Sequence, residues 1–265
     1  MASWHGKTEV VKLLIEKGFD INQTDKYGNN ALHLALGNGH KEIVELLIEK
    51  GIDINQTNTY GQNALHLASI KGKTEVVKLL IENGIDINQT DIHGRNALHW
   101  ASERGRTEVV ELLIEKGIDI NQTDKWKGQN ALHLASEKGH LEIVRLLIEK
   151  GIKINQINKN GQNALYFASE QDHKEIVALL IEKGIDINQR DVDGKNSLHF
   201  ASINGKTEVV KLLIEKRIDI NETDLNGRNA LHLASEYGKT EVEIGRARVG
   251  KECLRLCRSR WSPYH

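Results

Sequence analysis

One pattern of 33 residues recurs along nearly all of the 265-residue chain and limits its fold more than any other feature. Asp25–Thr57, Asn58–Thr90, Asp91–Thr123, Asn158–Arg190 and Asp191–Thr223 are copies of this length, and Asp124–Ile157 has one residue more. Incomplete copies flank them at 1–24 and 224–242. Self-similarity at this period marks a stack of small repeated units in which each unit meets only its neighbours.

The copy from Asn58 to Thr90 predicts two helices and a finger. Asn63 offers a side-chain oxygen to the free amides of a helix that starts at Ala64-Leu65-His66-Leu67-Ala68 and stops at Gly72. A second helix follows Lys73, with Val76, Val77, Leu79, Leu80 and Ile81 on its apolar face and Glu75, Lys78 and Glu82 on solvated faces. It ends at Asn83-Gly84, where glycine accepts the left-handed conformation. Apolar and polar residues alternate from Ile85 to Thr90, which predicts an extended finger, and Asp91-Ile92-His93-Gly94 supplies a turn into the next copy. An isolated copy would leave one apolar side in water, so it holds its shape only against a neighbour.

The shared string G-x-N-A-L-H-L-A-S-x-x-G-H-x-E-I-V-x-L-L-I-E-K-G resembles the ankyrin repeat from residue 2 to about residue 242. The resemblance implies an all-α solenoid, a stack of helix-turn-helix repeats with β-hairpin-like fingers. It also implies a protein–protein interaction module that holds a partner on its concave face and finger tips. The alternative it allows is a regulatory or targeting segment of a larger enzyme, channel or secreted effector. The chain departs from the family pattern in four places. Asn-Ala replaces the usual Thr-Pro before Leu-His, with Ser197 once in place of Ala, which keeps the cap and loses a rigid first helical residue. Trp126-Lys127 carries the extra residue of the longer copy. Asp172 stands where the interhelix glycine belongs and Arg217 where the helix-ending glycine belongs. Left-handed backbone at those two residues would cost about 1 kcal/mol each, so the fifth and sixth full repeats are expected to be the softest internal ones.

Composition changes abruptly after Val242. The only proline, Pro263, and both cysteines, Cys253 and Cys257, lie in residues 243–265, where five Arg and one Lys face two Glu. The pattern breaks there in mid-helix, and the replacing sequence is similar to a translated sequencing adapter. Codons GAG ATC GGA AGA GCG encode Glu243 to Ala247, and TGT AGA TCT CGG TGG TCG CCG TAT CAT encode Cys257 to His265. The expected organisation is a repeat domain over 1–242 and a non-native, disordered tail over 243–265. At the other end Ala2-Ser3-Trp4 aligns with Ala68-Ser69-Ile70, so the first repeat is expected to lack most of its first helix and the chain to be a fragment.

Lys and Arg number 36 against 37 Asp and Glu, which denies the chain the basic excess that a nucleic acid would reward. Its apolar runs are far too short to span a bilayer or serve as a secretory leader, so a cytoplasmic, monomeric protein without a cofactor is expected. Cys253 and Cys257 near His265 lack the second pair of a structural zinc site. His33, His66, His99, His133, His199 and His232 recur at one helical position, with Tyr166 replacing one. The family uses that histidine to hydrogen-bond neighbouring turns, which implies a structural role. No Ser/His/Asp set, phosphate loop or HExxH motif is present, so the chain is not expected to be an enzyme. Asn22, Asn55, Asn88, Asn121 and Asn221 begin N-x-T sequons, which need a secreted chain to act. With Asn155 and Asn188 they match the column at which animal ankyrin repeats can be hydroxylated.

Positions shared by all copies are explained by packing, so a binding surface is best sought where copies differ. The tips read Lys26-Tyr27, Thr59-Tyr60, Ile92-His93, Lys125-Trp126-Lys127, Lys159-Asn160, Val192-Asp193 and Leu225-Asn226. The end of the first helix varies too, as in Ile70-Lys71 and Glu103-Arg104. Aromatic and arginine side chains make good anchors, and the resemblance implies contact through these tips. The candidate protein-binding residues are therefore Tyr27, Tyr60, Ile70, His93, Arg104, Trp126 and Lys127. Trp100, Phe167 and Phe200 replace leucine inside the pattern and are expected in the core.

Overall fold

A computed structural model describes residues 7–238, which divide into two compact units, the chain passing from the first to the second between Lys153 and Ile154. The adapter-like tail at 243–265 lies outside the described residues, as do residues 1–6. The N-terminal unit contains α1 (Thr8–Glu16), α2 (Ala31–Asn38), α3 (Lys41–Glu49), α4 (Ala64–Lys71), α5 (Thr74–Glu82), α6 (Ala97–Glu103), α7 (Thr107–Glu115), α8 (Ala131–Lys138) and α9 (Leu141–Glu149). The C-terminal unit contains α10 (Ala164–Glu170), α11 (Lys174–Glu182), α12 (Ser197–Ile203), α13 (Thr207–Glu215) and α14 (Ala230–Glu236). No strand forms among the described residues.

In both units a first helix packs on the second helix of its own repeat and on the first helix of the next. In the N-terminal unit α2 lies on α4, α4 on α6 and α6 on α8, while α3, α5, α7 and α9 make a looser outer row. The layer between them is the core. Leu32, Leu65, Leu98 and Leu132 face Leu47, Leu80, Leu113 and Leu147 there, all fully buried. In the C-terminal unit α10, α12 and α14 pack in sequence, with α11 and α13 behind them.

Each first helix starts at the asparagine the pattern places there. Asn63 is extended (φ −92°) and its side chain accepts the His66 N–H at 3.2 Å, while the His66 ring takes the Asn63 N–H at the same distance. This reciprocal cap satisfies two amide donors that a buried helix start would otherwise leave without partners. The interhelix glycine is required twice over at Gly105. Its φ is +69°, and a Cβ there would lie 2.7 Å from the His140 ring of the next repeat. Asp172 and Arg217 take over such positions and keep the left-handed geometry, at φ 69° and 64°. Both strained residues fall in the fifth and sixth full repeats, where the sequence places the softest part of the array.

The finger differs in detail from the extended segment that the alternation predicts. Ile87-Asn88 turns, because the Asp86 carboxylate accepts the Asn88 N–H at 3.0 Å and closes a local loop. Three hydrogen-bond columns then tie repeat to repeat in the N-terminal unit. Asn22, Asn55 and Asn88 side chains accept the N–H groups of Asp53, Asp86 and Asp119 at 2.8–2.9 Å. The rings of His33, His66 and His99 reach the carbonyls of Gln62, Arg95 and Gln129 at 3.1–3.2 Å. The third column is the backbone of the tips. The repeated histidines and asparagines thus serve one purpose, joining units that share no sheet.

Candidate binding surface at the finger tips

Every tip of the N-terminal unit is built on a side chain that folds back onto its own loop. Asp25, Asn58, Asp91 and Asp124 accept the N–H groups of Tyr27, Tyr60, His93 and Lys127 at 2.7–3.0 Å, and each also accepts a second N–H further along the turn. The turns are thereby preset before any partner arrives. Backbone bonds then hold the tips in register: Thr59 N–H donates to the Tyr27 carbonyl (2.9 Å), Ile92 to Tyr60 (3.1 Å) and Lys125 to His93 (2.7 Å).

The outcome is a row of aromatic groups directed at solvent. Tyr27, Tyr60 and Trp126 are 50%, 57% and 73% exposed, and His93 is exposed between the last two. The structure brings His93 and Trp126 together, their rings stacked 5.9 Å apart at 28°. Lys127, of the pair that carries the extra residue of the long copy, is exposed at the end of the row. Lys26 lies over the Tyr27 ring, its Nζ 4.9 Å from the centroid. Arg104 is exposed at the end of α6, whereas Ile70 is half-buried at the end of α4 and its carbonyl accepts the Arg106 guanidinium N–H at 3.1 Å. No described contact joins either Arg104 or Ile70 to the aromatic row.

The three expected core aromatics divide. Phe167 is buried, in edge contact with Tyr166. Trp100 and Phe200 are only half-buried, as Leu34 and Leu67 at the same register are, whereas Leu134 at that register is buried. The Trp100 indole N–H donates to the Asp91 carboxylate at 3.1 Å, and the Arg95 guanidinium lies 5.2 Å from the ring centroid. Arg95 in turn bonds Glu103 at 3.1 Å and approaches Asp124 of the next repeat at 3.6 Å. Sequence reasoning missed this network. Its signal was two departures in one copy, arginine where most of the other full copies have Asn or Gln and tryptophan in place of leucine.

His33, His66, His99 and His199 of the histidine column are buried. Burial holds the His99 imidazole down at about 4, outweighing the Gln129 carbonyl that would favour its protonated form. Burial likewise lowers His33, His66 and His199 from the ordinary imidazole range. These rings are neutral structural links at neutral pH. Among the described residues no group of His, Cys, Asp and Glu could hold a metal ion, and no helix is long and apolar enough to cross a membrane.

The tips of the C-terminal unit are different in chemistry. Val192 and Leu225 are exposed there, Asp193 pairs with Lys195 at 3.3 Å, and no aromatic residue occupies a tip.

A search of curated proteins finds no match to this chain. A family model described as ankyrin repeats (3 copies) matches residues 1–91, 55–124, 98–191 and 188–244. The capped helix pairs, the preset tips and a match over most of its length agree, and the chain belongs to the ankyrin-repeat family.

Proposed function

We propose that this chain is a protein-binding module whose N-terminal unit holds its partner on the row Tyr27, Tyr60, His93 and Trp126, with Lys127, Arg104 and Ile70 at the margin. Ankyrin repeats are in general protein–protein interaction modules. The observation that carries the placement is an aromatic row exposed to water on turns already held by side-chain and backbone hydrogen bonds. Large aromatic groups lose little conformational freedom on binding and contribute much of the energy at interfaces. Preset loops lower the ordering cost further.

The test is quantitative capture from source lysate by the full chain, compared with Tyr60→Ala and Trp126→Ala variants. Both side chains are exposed, so neither change should alter helicity by far-UV circular dichroism. Selective loss of the same captured proteins from both variants is the expected result. Capture that neither substitution changes would refute the placement.

A further inference from the structure

The tip row has a charge asymmetry that points to the class of its occupant. The acidic groups along it are already engaged. Asp91 and Asp124 are almost fully buried and accept N–H groups of their own turns. Glu103 is bound by Arg95 and Glu137 by Lys138. Basic groups of the tips and of the first-helix ends are turned to water: Lys26, Lys71, Arg104 and Lys127 are all exposed, and the last three make no ion pair among the described residues. The face is therefore aromatic with unneutralised cations at its edges, in a chain whose formal charge is only −1.

We propose that this row takes an extended peptide in which carboxylates alternate with apolar or aromatic side chains. The inference rests on the protein-binding reading above and specifies the partner. An extended peptide presents alternate side chains to opposite sides, so apolar groups can stack on the tips while carboxylates reach the flanking cations. The Trp126 and His93 rings and the tyrosines supply the stacking surface, and Lys127 and Arg104 supply the charge. A single-stranded nucleic acid also likes aromatic and basic groups, but it needs cations along the whole backbone track. The middle tip, Asn58-Thr59-Tyr60, carries none.

The full chain is panned against a random library of about 12-residue peptides on phage, a length that crosses several tips when extended. Recovered peptides are labelled with fluorescein and titrated by anisotropy against wild type, Tyr60→Ala, Trp126→Ala, the Arg104→Glu/Lys127→Glu pair, and Leu225→Ala as a control in the other unit. Acidic, aromatic-rich peptides should be enriched. Their affinity should fall about tenfold in each aromatic variant and in the charge-reversed pair, and hold in Leu225→Ala. It should also weaken with salt, since the charges are exposed. Peptides without acidic bias that still need Tyr60 and Trp126 would overturn the acidic class and leave the surface standing. Acidic peptides indifferent to all the tip substitutions would overturn the surface itself. Recovery of no peptide, or tighter binding of labelled oligouridine than of the best peptide, would overturn the proposal.

Discussion

Mild acid should loosen the N-terminal unit through His99. Its ring is 1% exposed, and both nitrogens face oxygen acceptors, Asn96 Oδ1 at 2.7 Å and the Gln129 carbonyl at 3.2 Å. The Gln129 carbonyl favours the charged form, whereas burial and the Asn96 N–H that Nδ1 accepts at 3.2 Å oppose it. Burial wins, and the folded imidazole titrates at about 4 against 6.5 when unfolded. The unfolded chain therefore binds the proton first. The stability contributed by neutral His99 is complete above the unfolded value and is lost as pH falls from 6.5 toward 4. Between pH 7 and pH 5 the loss for this one group is about 2 kcal/mol, approaching about 3 kcal/mol in stronger acid. His33 and His66 are shifted the same way and add to it. The assay is urea unfolding followed by circular dichroism at pH 7 and pH 5, for wild type and for His99→Gln. The variant is less stable at pH 7 but should lose about 2 kcal/mol less than wild type on acidification. An equal loss in both proteins, or an imidazole that titrates above 6.5 in the folded chain by NMR, would show that the Gln129 carbonyl outweighs burial and refute the reasoning.

Further substitutions test the packing and backbone. Leu80→Ala and Leu113→Ala each empty a fully buried site, and urea titration should show a cost of roughly 2–5 kcal/mol. If the stack behaves as a chain of nearest-neighbour contacts, unfolding should also split into two transitions; one cooperative transition shifted as a whole would contradict that. Arg217→Gly and Asp172→Gly relieve left-handed backbone at non-glycine residues and should each raise stability by about 0.5–1 kcal/mol, measured by thermal melting. Asn63→Ala removes a buried helix cap and should cost about 1–2 kcal/mol in the same measurement, whereas a neutral result would show the His66 ring capping the helix unaided.

Much of this molecule was legible before its tertiary structure. A 33-residue period, asparagine before each first helix, glycine after it and a helical apolar stripe are local properties, and local propensity and pattern agree at each of them. The left-handed residues at Asp172 and Arg217 were readable too, since only the backbone geometry of the glycines they replace is at issue. The tip candidates were readable as differences between copies. That Ile85 to Thr90 turns at Asn88 was not, because alternation of apolar residues cannot report the side-chain bond from Asp86 that bends the chain.

What the sequence by itself determined is the repeat, its two helices and the requirement that copies stack, because an amphipathic 33-mer has no other way to bury its apolar side. The tertiary structure alone decided which groups serve neighbours and which face water. It turned Trp100 from an expected core residue into a half-buried partner of Asp91 and Arg95, and it stacked His93 on Trp126 across a repeat junction. In the C-terminal unit it made Arg190, which replaces a threonine of the pattern, a link to the Thr223 carbonyl at 2.8 Å and to the Glu222 carboxylate. The His93–Trp126 and Arg190–Thr223 contacts join groups 33 residues apart, and no local preference encodes such a distance. Stacking alone sets it.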